Sequence, residues 1–347
     1  MPETQESYLA VQAVAPGKLE LARKPLQAPG PGYVRIKIEA CGVCHSDAAT
    51  IEGAFTIVWP RVPGHEVVGK IDLLGESVEG WSVGQRVGVG FLAGSCGHCT
   101  QCRSGHLVNC TNQEFTGVHH DGGYAESMIA KASGLMSIPD DLTDVEAAPL
   151  LCAGLTTFSA LRNSGAKAGD LVAIVGIGGL GHLAVQYARS MGYEVAAIGR
   201  GLAVGELAKK LGAHHYIDST ADHVDEALQR LGGADLVLAT ASGGKGVSDT
   251  IKGLKPRGKT IVLGATAEPI ELASGELFFK ERSVAGALTG DPATGDTTLR
   301  FSSLFGISAM IEEFPLERAI DAYDKMMHGK PRFRIVLTMG SSALREA

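Results

Sequence analysis

The 347-residue chain is poor in clustered positive charge. No run of five or more Lys or Arg occurs, and the formal net charge is −7. A protein that grips a phosphate backbone needs a Lys/Arg footprint, so no nucleic-acid partner is expected. Also missing is any stretch of about 18 consecutive apolar residues, so no helical membrane span is expected. The opening "MPETQESYLAVQAV" has neither the basic start nor the apolar core of a secretory signal, and a cytoplasmic location follows as the expectation. No low-complexity tract interrupts the chain, and no internal repeat of roughly 20–50 residues is found. With 45% hydrophobic and 20% charged residues, what remains is a globular protein of about two domains.

Cysteine is the informative residue. There are seven, an odd number that rules out full pairing, and four crowd into "CGHCTQCRSGHLVNC" (residues 96–110). In a reducing cytosol such a cluster points to metal ligation or catalysis rather than disulfides. Cys41 and Cys44 form a CxxC pair, which raises a thioredoxin-like redox motif. That motif belongs beside a βαβ pattern, whereas this pair sits in β-rich sequence ahead of any parallel-sheet region.

Residues 1 to about 150 read as mostly antiparallel β structure. "YVRIKIEA" alternates apolar Val34, Ile36 and Ile38 with polar positions, as a half-buried strand does. "HEVVGKIDLLG" and "GQRVGVG" resemble it, with Gly and Pro punctuation between. After Pro149 the pattern changes. "LVAIV", "EVAAI", "HYID", "DLVLA", "KTIVL" and "SVAGA" alternate with helix-like segments, which predicts a doubly wound parallel sheet. From about residue 291 the sequence returns to mixed structure and ends in the strand-like "FRIVLTM". A central dinucleotide-type domain inserted into a second, discontinuous domain is the simplest arrangement.

Within "VAIVGIGGLGHLAVQYA", Gly176, Gly178 and Gly181 form a G-x-G-x-x-G pattern that follows a strand and opens a helix. Gly176 permits the tight turn, Gly178 the approach of a pyrophosphate, and Gly181 close packing of helix on sheet, with Gly179 and Leu180 completing the loop. The helix N-terminus favours the phosphate charge. At the end of the next strand an NAD site usually carries an acid for the adenosine ribose. Here Gly199 stands at that position and Arg200 follows. Loss of the carboxylate removes repulsion against a 2′-phosphate, and an arginine offers it a bidentate partner, so NADP(H) is expected over NAD(H). The alternative is an NAD site lacking its usual acid.

Cys44 in "CGVCHSD", His65 in "PGHE" and Cys152 in "LLCAG" are weak signals singly. Together they make a Cys₂His set of the kind that leaves a fourth metal position open. In their order along the chain, "CGVCHSD", "GHE", the cysteines of 96–110, "LLCAG" and "GIGGLG" resemble the zinc-containing medium-chain alcohol dehydrogenases over nearly the whole length. The resemblance is greatest to the branch with microbial tetrameric alcohol dehydrogenases and cinnamyl-alcohol-type aldehyde reductases.

It implies an α/β fold: a Rossmann-type sheet at 154–290 inserted in a β-rich GroES-like catalytic domain formed by 1–153 and 291–347, with a structural zinc lobe at 94–112. It implies a catalytic zinc on Cys44, His65 and Cys152, with Glu66 as an exchange ligand, and a structural zinc on Cys96, Cys99, Cys102 and Cys110. Four thiolates leave no open position, so that lobe would be a fastener. Asp47 matches the carboxylate that orients the zinc histidine, and Ser46 the hydroxyl that takes the alcohol proton. His45 and Arg334 match cofactor-phosphate contacts, and Trp59 and Phe91 match pocket walls. Where many relatives carry a proton-relay histidine, this chain has Ala49.

The expected activity is hydride transfer between a nicotinamide and a primary alcohol or aldehyde, with reduction as the working direction, in a homodimer or homotetramer. An NAD-dependent alcohol oxidation is the alternative. A zinc-ribbon module fits poorly with the acidic balance, and a zinc-free quinone-reductase-like or crystallin-like relative would lack Cys44, His65 and Cys152.

Overall fold

A computed structural model describes residues 6–240, 243–264, 268–329 and 333–340. The chain divides into two compact units: Met1–Cys152 with Gly290–Leu304 and Ser308–Ala347, and Ala153–Thr289 with Phe305–Ile307. Fifteen strands occur among the described residues and are numbered in chain order.

In the first unit, β1 (Ser7–Ala15) and β2 (Lys18–Pro25) form an antiparallel pair. The main sheet contains β3 (Tyr33–Val43), β4 (Glu66–Leu74), β5 (Arg86–Val89), β6 (Ser127–Lys131) and β7 (Leu135–Ser137). Two late strands, β14 (Ile311–Pro315) and β15 (Arg334–Thr338), complete it. Its order is β14-β15-β3-β4-β5-β7, with β6 paired to β3. The alternation in β3 does what its period requires. Val34, Ile36 and Ile38 are all buried, packed with Val67, Ile71, Val87, Val89, Ile335 and Leu337.

The second unit holds one six-stranded, all-parallel sheet, order β10-β9-β8-β11-β12-β13. Its strands are β8 (Leu171–Val175), β9 (Glu194–Gly199), β10 (His215–Asp218), β11 (Ala234–Ala239), β12 (Leu254–Val262) and β13 (Ser283–Gly286). Both this Rossmann-like sheet and its six strands agree with the reading of the six short apolar runs. β8 is buried at every position, as a strand covered on both faces is. Order reverses beside β8, the switch point at which such sheets bind ligands.

The glycine loop lies there, between β8 and the helix Gly181–Ser190. Gly176 has φ +86°, a left-handed turn closed to most side chains, and a Cβ at Gly181 would collide with the Gly176 carbonyl. At Gly178, by contrast, a Cβ would meet nothing within 4 Å, and the residue is exposed. Two glycines shape the turn and the third leaves its outer face bare. Among the described residues, no helix is long and apolar enough to cross a membrane.

Candidate active site and metal centres

The register of the first unit's sheet delivers the scattered ligands to one end. β3 runs antiparallel to β4 with Gly42 opposite Glu66, and antiparallel to β15 with Val43 opposite Ile335. Cys44, just beyond β3, therefore meets His65 and Glu66 at the entrance to β4 and Arg334 at the start of β15. Cys152 arrives at the end of the short 3₁₀ turn Ala148–Leu151, whose residues are all buried. The ligand atoms of Cys44, His65, Glu66 and Cys152 all lie within 4.8 Å of one another.

Each imidazole nitrogen has a distinct position. His65 Nδ1 lies 2.8 Å from Asp47 Oδ1, with both side chains almost fully buried. The other carboxylate oxygen accepts the Cys44 N–H at 2.9 Å and the Tyr124 hydroxyl at 3.0 Å. Asp47 accepts at Oδ1, so Nδ1 carries a proton, and Nε2 is the nitrogen that can offer a lone pair to a cation once its own proton is displaced. Nε2 is buried without a hydrogen-bond partner, a costly orphan unless a cation takes it. Glu66 is arranged alike. Oε1 pairs with the Arg334 guanidinium, while Oε2 is buried and unpartnered. Gly42 is what lets it approach, since a Cβ there would overlap the Glu66 carboxylate.

Protonation follows the crowding. The Cys152 thiol, hydrogen-bonded to Cys44 at a sulfur–sulfur distance of 3.9 Å, holds Cys44 well below the ordinary thiol range against the opposing effect of burial. Cys44 and burial in turn push Cys152 well above it. Burial pushes Glu66 up to about 8, opposed by Arg334. Burial would lower His65, but Asp47 and Cys44 outweigh it and hold the imidazole above its usual range. Both thiols cannot ionise here without a compensating cation. The donor set, two sulfurs and one imidazole nitrogen, is that of a zinc with an open position, so the residues fit the metal.

Cys96, Cys99, Cys102 and Cys110 form a second group within the same 4.8 Å limit. Sulfur–sulfur distances of 4.0 Å for Cys96–Cys102 and Cys99–Cys110 are close to the roughly 3.8 Å edge of a tetrahedron with about 2.3 Å metal–sulfur bonds. All seven cysteines are free thiols. Backbone N–H groups of Cys96, Cys99 and Cys102 point at Cys110, Cys96 and Cys99 sulfurs at 3.5, 3.4 and 3.4 Å. Amides of Cys102 and Thr111 bring Cys99 down to about 5, and amides of His98 and Cys99 bring Cys96 to about 7. Burial lifts Cys102 to about 11. Four thiols pre-set in this way fit a closed zinc site.

The remaining expected residues fall as follows. His45 and Ser46 are exposed on the turn His45–Asp47 directly after Cys44. Phe91 touches the site, its ring 5.1 Å from His65 in an edge contact. Trp59 is half-buried beside Gly53. Gly199 ends β9, where a Cβ would press on Val204 and Tyr216, and Arg200 is exposed beyond it. Arg334 has a partner the sequence does not disclose. It is buried and paired to Glu66, although its Nε has no hydrogen-bond partner. Sequence reasoning missed Tyr124 and also Phe115, which stacks on Phe91 at 4.6 Å. Tyr124 stands in "DGGYAE", whose paired glycines are a turn signal that does not disclose the Asp47 contact.

Comparison with known proteins agrees with this geometry. Residues 30–140 match the alcohol dehydrogenase GroES-like domain, and residues 179–303 the zinc-binding dehydrogenase domain. The chain is 40% identical to the alcohol dehydrogenase notN of Aspergillus sp. (strain MF297-2), covering 98% of this chain and 99% of the relative. It is 35% identical to the aldehyde reductase AdhA of Synechocystis sp., covering 96% and 98%. Two solved structures carry different cofactors. CAD from Helicobacter pylori, complexed with NADP(H), has TM-score 0.85 at 28% identity over 96% of this chain and 98% of its own. Acetophenone reductase from Geotrichum candidum, in complex with NAD, has TM-score 0.84 at 27% identity over 97% and 98%.

The four-thiol lobe makes a direct prediction. Its folded-state value places Cys99 below an ordinary thiol, so its ionisation favours the folded lobe most fully above about pH 9 and stops doing so as pH falls through about 5. In metal-free protein at pH 6, iodoacetamide is expected to modify Cys99 and to spare Cys102. Peptide mass mapping reads this out, and equal labelling of the two cysteines would contradict the lobe's electrostatics. Zinc should protect all four.

Proposed function

The chain belongs to the zinc-containing medium-chain alcohol dehydrogenase family, and from that premise we propose that it reduces aldehydes to primary alcohols with NADPH, using Cys44, His65 and Cys152 as the ligands of a catalytic zinc. As a member of that family it is an oxidoreductase that uses zinc and a nicotinamide. One observation carries the assignment of the site: the unpartnered, buried Nε2 of His65, held by Asp47 and converging with two thiols that cannot both ionise alone.

When bound, zinc supplies a Lewis acid for the substrate oxygen, and the nicotinamide supplies a hydride donor or acceptor. The protein's own side chains do the rest. Asp47 fixes the tautomer and angle of His65. Ser46, exposed one residue before Asp47, is the candidate to exchange the hydroxyl proton of the substrate. With Ala49 in place of a relay histidine, the proton would leave through exposed Ser46 to water. Glu66, with one oxygen free, is the candidate exchange ligand, and Arg334 holds its other oxygen. Stacked Phe91 and Phe115 form an apolar wall beside His65, which suits an aromatic or bulky aliphatic aldehyde and keeps water from it. Trp59 is the more distant candidate for that wall.

We assign the unit Ala153–Thr289 to the cofactor. The bare Gly178–Leu180 loop would take the pyrophosphate, and exposed Arg200 beyond Gly199 the 2′-phosphate. The lobe 94–112 is read as a zinc-fastened loop. β13 ends its sheet, is largely exposed, and is flanked by Phe278 and Phe279 at 79% and 83% exposure, which supports a homo-oligomer built along that edge. Reduced, clustered thiols support a cytoplasmic setting.

Three measurements test these roles. Cys152→Ala is expected to lower bound zinc from about two to about one per chain and turnover by about 10³-fold or more, since a metal supplies several kcal/mol of charge stabilisation. Retained turnover would sink the catalytic assignment. Arg200→Ala is expected to raise the NADPH KM about 10–100-fold and leave NADH nearly unchanged, the range that a lost charge-assisted hydrogen bond implies. Parallel effects on both cofactors would remove the NADP argument. Replacing Phe278 and Phe279 together by Asp is expected to shift the mass seen by light scattering to a smaller species. An unchanged mass would place the interface elsewhere.

A further inference from the structure

The segment Asp121–Tyr124 ("DGGY") takes no part in the chemistry above, yet it is pressed tightly against the stretch that delivers His65. Gly122 N–H donates to the Val62 carbonyl at 2.8 Å, Gly123 N–H to Gly64 at 3.0 Å, and Tyr124 N–H to Pro63 at 3.0 Å. Glycine makes this approach possible. A Cβ at Gly64 would lie 2.5 Å from Tyr124 Cδ1, and one at Gly123 would lie 2.7 Å from Cys41 Sγ. Gly64 also sits at φ +98°, closed to most other residues. The tyrosine ring is fully buried and gripped by its surroundings.

Its hydroxyl ends at Asp47. That carboxylate has three donors: His65 Nδ1 on one oxygen, and the Cys44 N–H and Tyr124 O–H on the other. The Cys44 amide belongs to the same short turn as Asp47 and moves with it. Tyr124 comes from a distant part of the chain. It is therefore tied to the His65–Asp47 pair at both ends, through its backbone to the approach of His65 and through its hydroxyl to the group that orients His65. A core tyrosine that merely needed an acceptor would not require glycines at 64, 122 and 123 to reach one.

We propose that Tyr124 is a positioning residue of the metal centre, holding the Asp47 carboxylate so that His65 keeps Nε2 aimed at the Cys44 and Cys152 sulfurs. This rests on the reading of those three residues as zinc ligands.

The test is the rate at which the two zinc ions leave the full-length protein to a chromogenic chelator, in wild type and in Tyr124→Phe, which removes one oxygen and keeps the ring. Outer partners of metal ligands are typically worth about 10–100-fold in metal affinity. Release of the zinc that Cys152→Ala eliminates should therefore quicken about tenfold or more. Release from the four-cysteine lobe should not change, and kcat should fall with the KM for the nicotinamide unaltered. In an Asp47→Asn background the same substitution should add nothing, because the hydroxyl acts through that carboxylate. Unchanged release, equal quickening at both zinc sites, or full additivity with Asp47→Asn would overturn the proposal. Should Tyr124→Phe not fold, 3-fluorotyrosine placed at position 124 keeps the ring and donates more strongly. Slower release then supports the role, and unchanged or faster release overturns it. Wild-type protein that binds only one zinc would overturn the metal reading and this proposal with it, whereas two zinc ions with release indifferent to position 124 would overturn this proposal alone.

Discussion

Two thiols, a carboxylate and an imidazole share a space 4.8 Å across inside the first unit, and everything around them answers to the electrostatic cost of that crowding. Two full negative charges 3.9 Å apart would repel by about 4 kcal/mol at an effective dielectric of 20. The protein alone relieves part of this. One proton stays between Cys44 and Cys152, Glu66 keeps its own proton up to about pH 8, and Arg334 lies against Glu66. A divalent cation at the vacant faces of His65 Nε2 and Glu66 Oε2 would relieve the rest. Such a cluster is unfavourable as a free-standing arrangement and favourable as a ligand cage, which is why its existence argues for a metal more strongly than any one residue does.

Building the cage requires backbone to come close where side chains would forbid it. Gly42 yields its Cβ position to the Glu66 carboxylate, and Gly64 yields to the Tyr124 ring. Register then does the gathering. Because β3 lies between β4 and β15, the ends of all three strands converge, and the residues at 44, 65–66 and 334 meet without any loop reaching across. A one-residue slip of β4 would put Glu66 on the opposite face of the sheet and dissolve the site. The hydrophobic face of β3, with Val34, Ile36 and Ile38 in the core, is what pins that register.

This also explains what the sequence discloses. Alternation in β3 and the six apolar runs after Pro149 are local patterns, and each becomes the element its period implies. The glycine loop is local too, and its three glycines have distinct conformational duties. The convergence of Cys44, His65 and Cys152 is not local, and it became visible only because the motif order resembles a known family. Where no motif names a residue, sequence reasoning fails. The Arg334–Glu66 pair spans 268 positions, and the Tyr124 hydroxyl meets Asp47 across 77. Phe115 stacks on Phe91 from a separate loop. Such pairings are set by strand order and register, which composition and spacing do not encode.

The two cysteine groups differ in one physical respect that separates fastening from reactivity. In the lobe every donor is a sulfur, three of the sulfurs already accept backbone N–H groups, and among the described residues no histidine or carboxylate joins the group. Four loaded thiolates surround a cation completely and leave no room for a substrate oxygen. At the other centre, two sulfurs and one nitrogen provide three strong donors, and the fourth group, Glu66, is held back on one side by Arg334. On the proposed reading, Glu66 would be the one candidate ligand whose approach to a bound zinc is restrained by another side chain. On the same reading the denser cysteine cluster is thus the chemically quieter one, and reactivity would belong to the site whose protein donors leave a coordination position open.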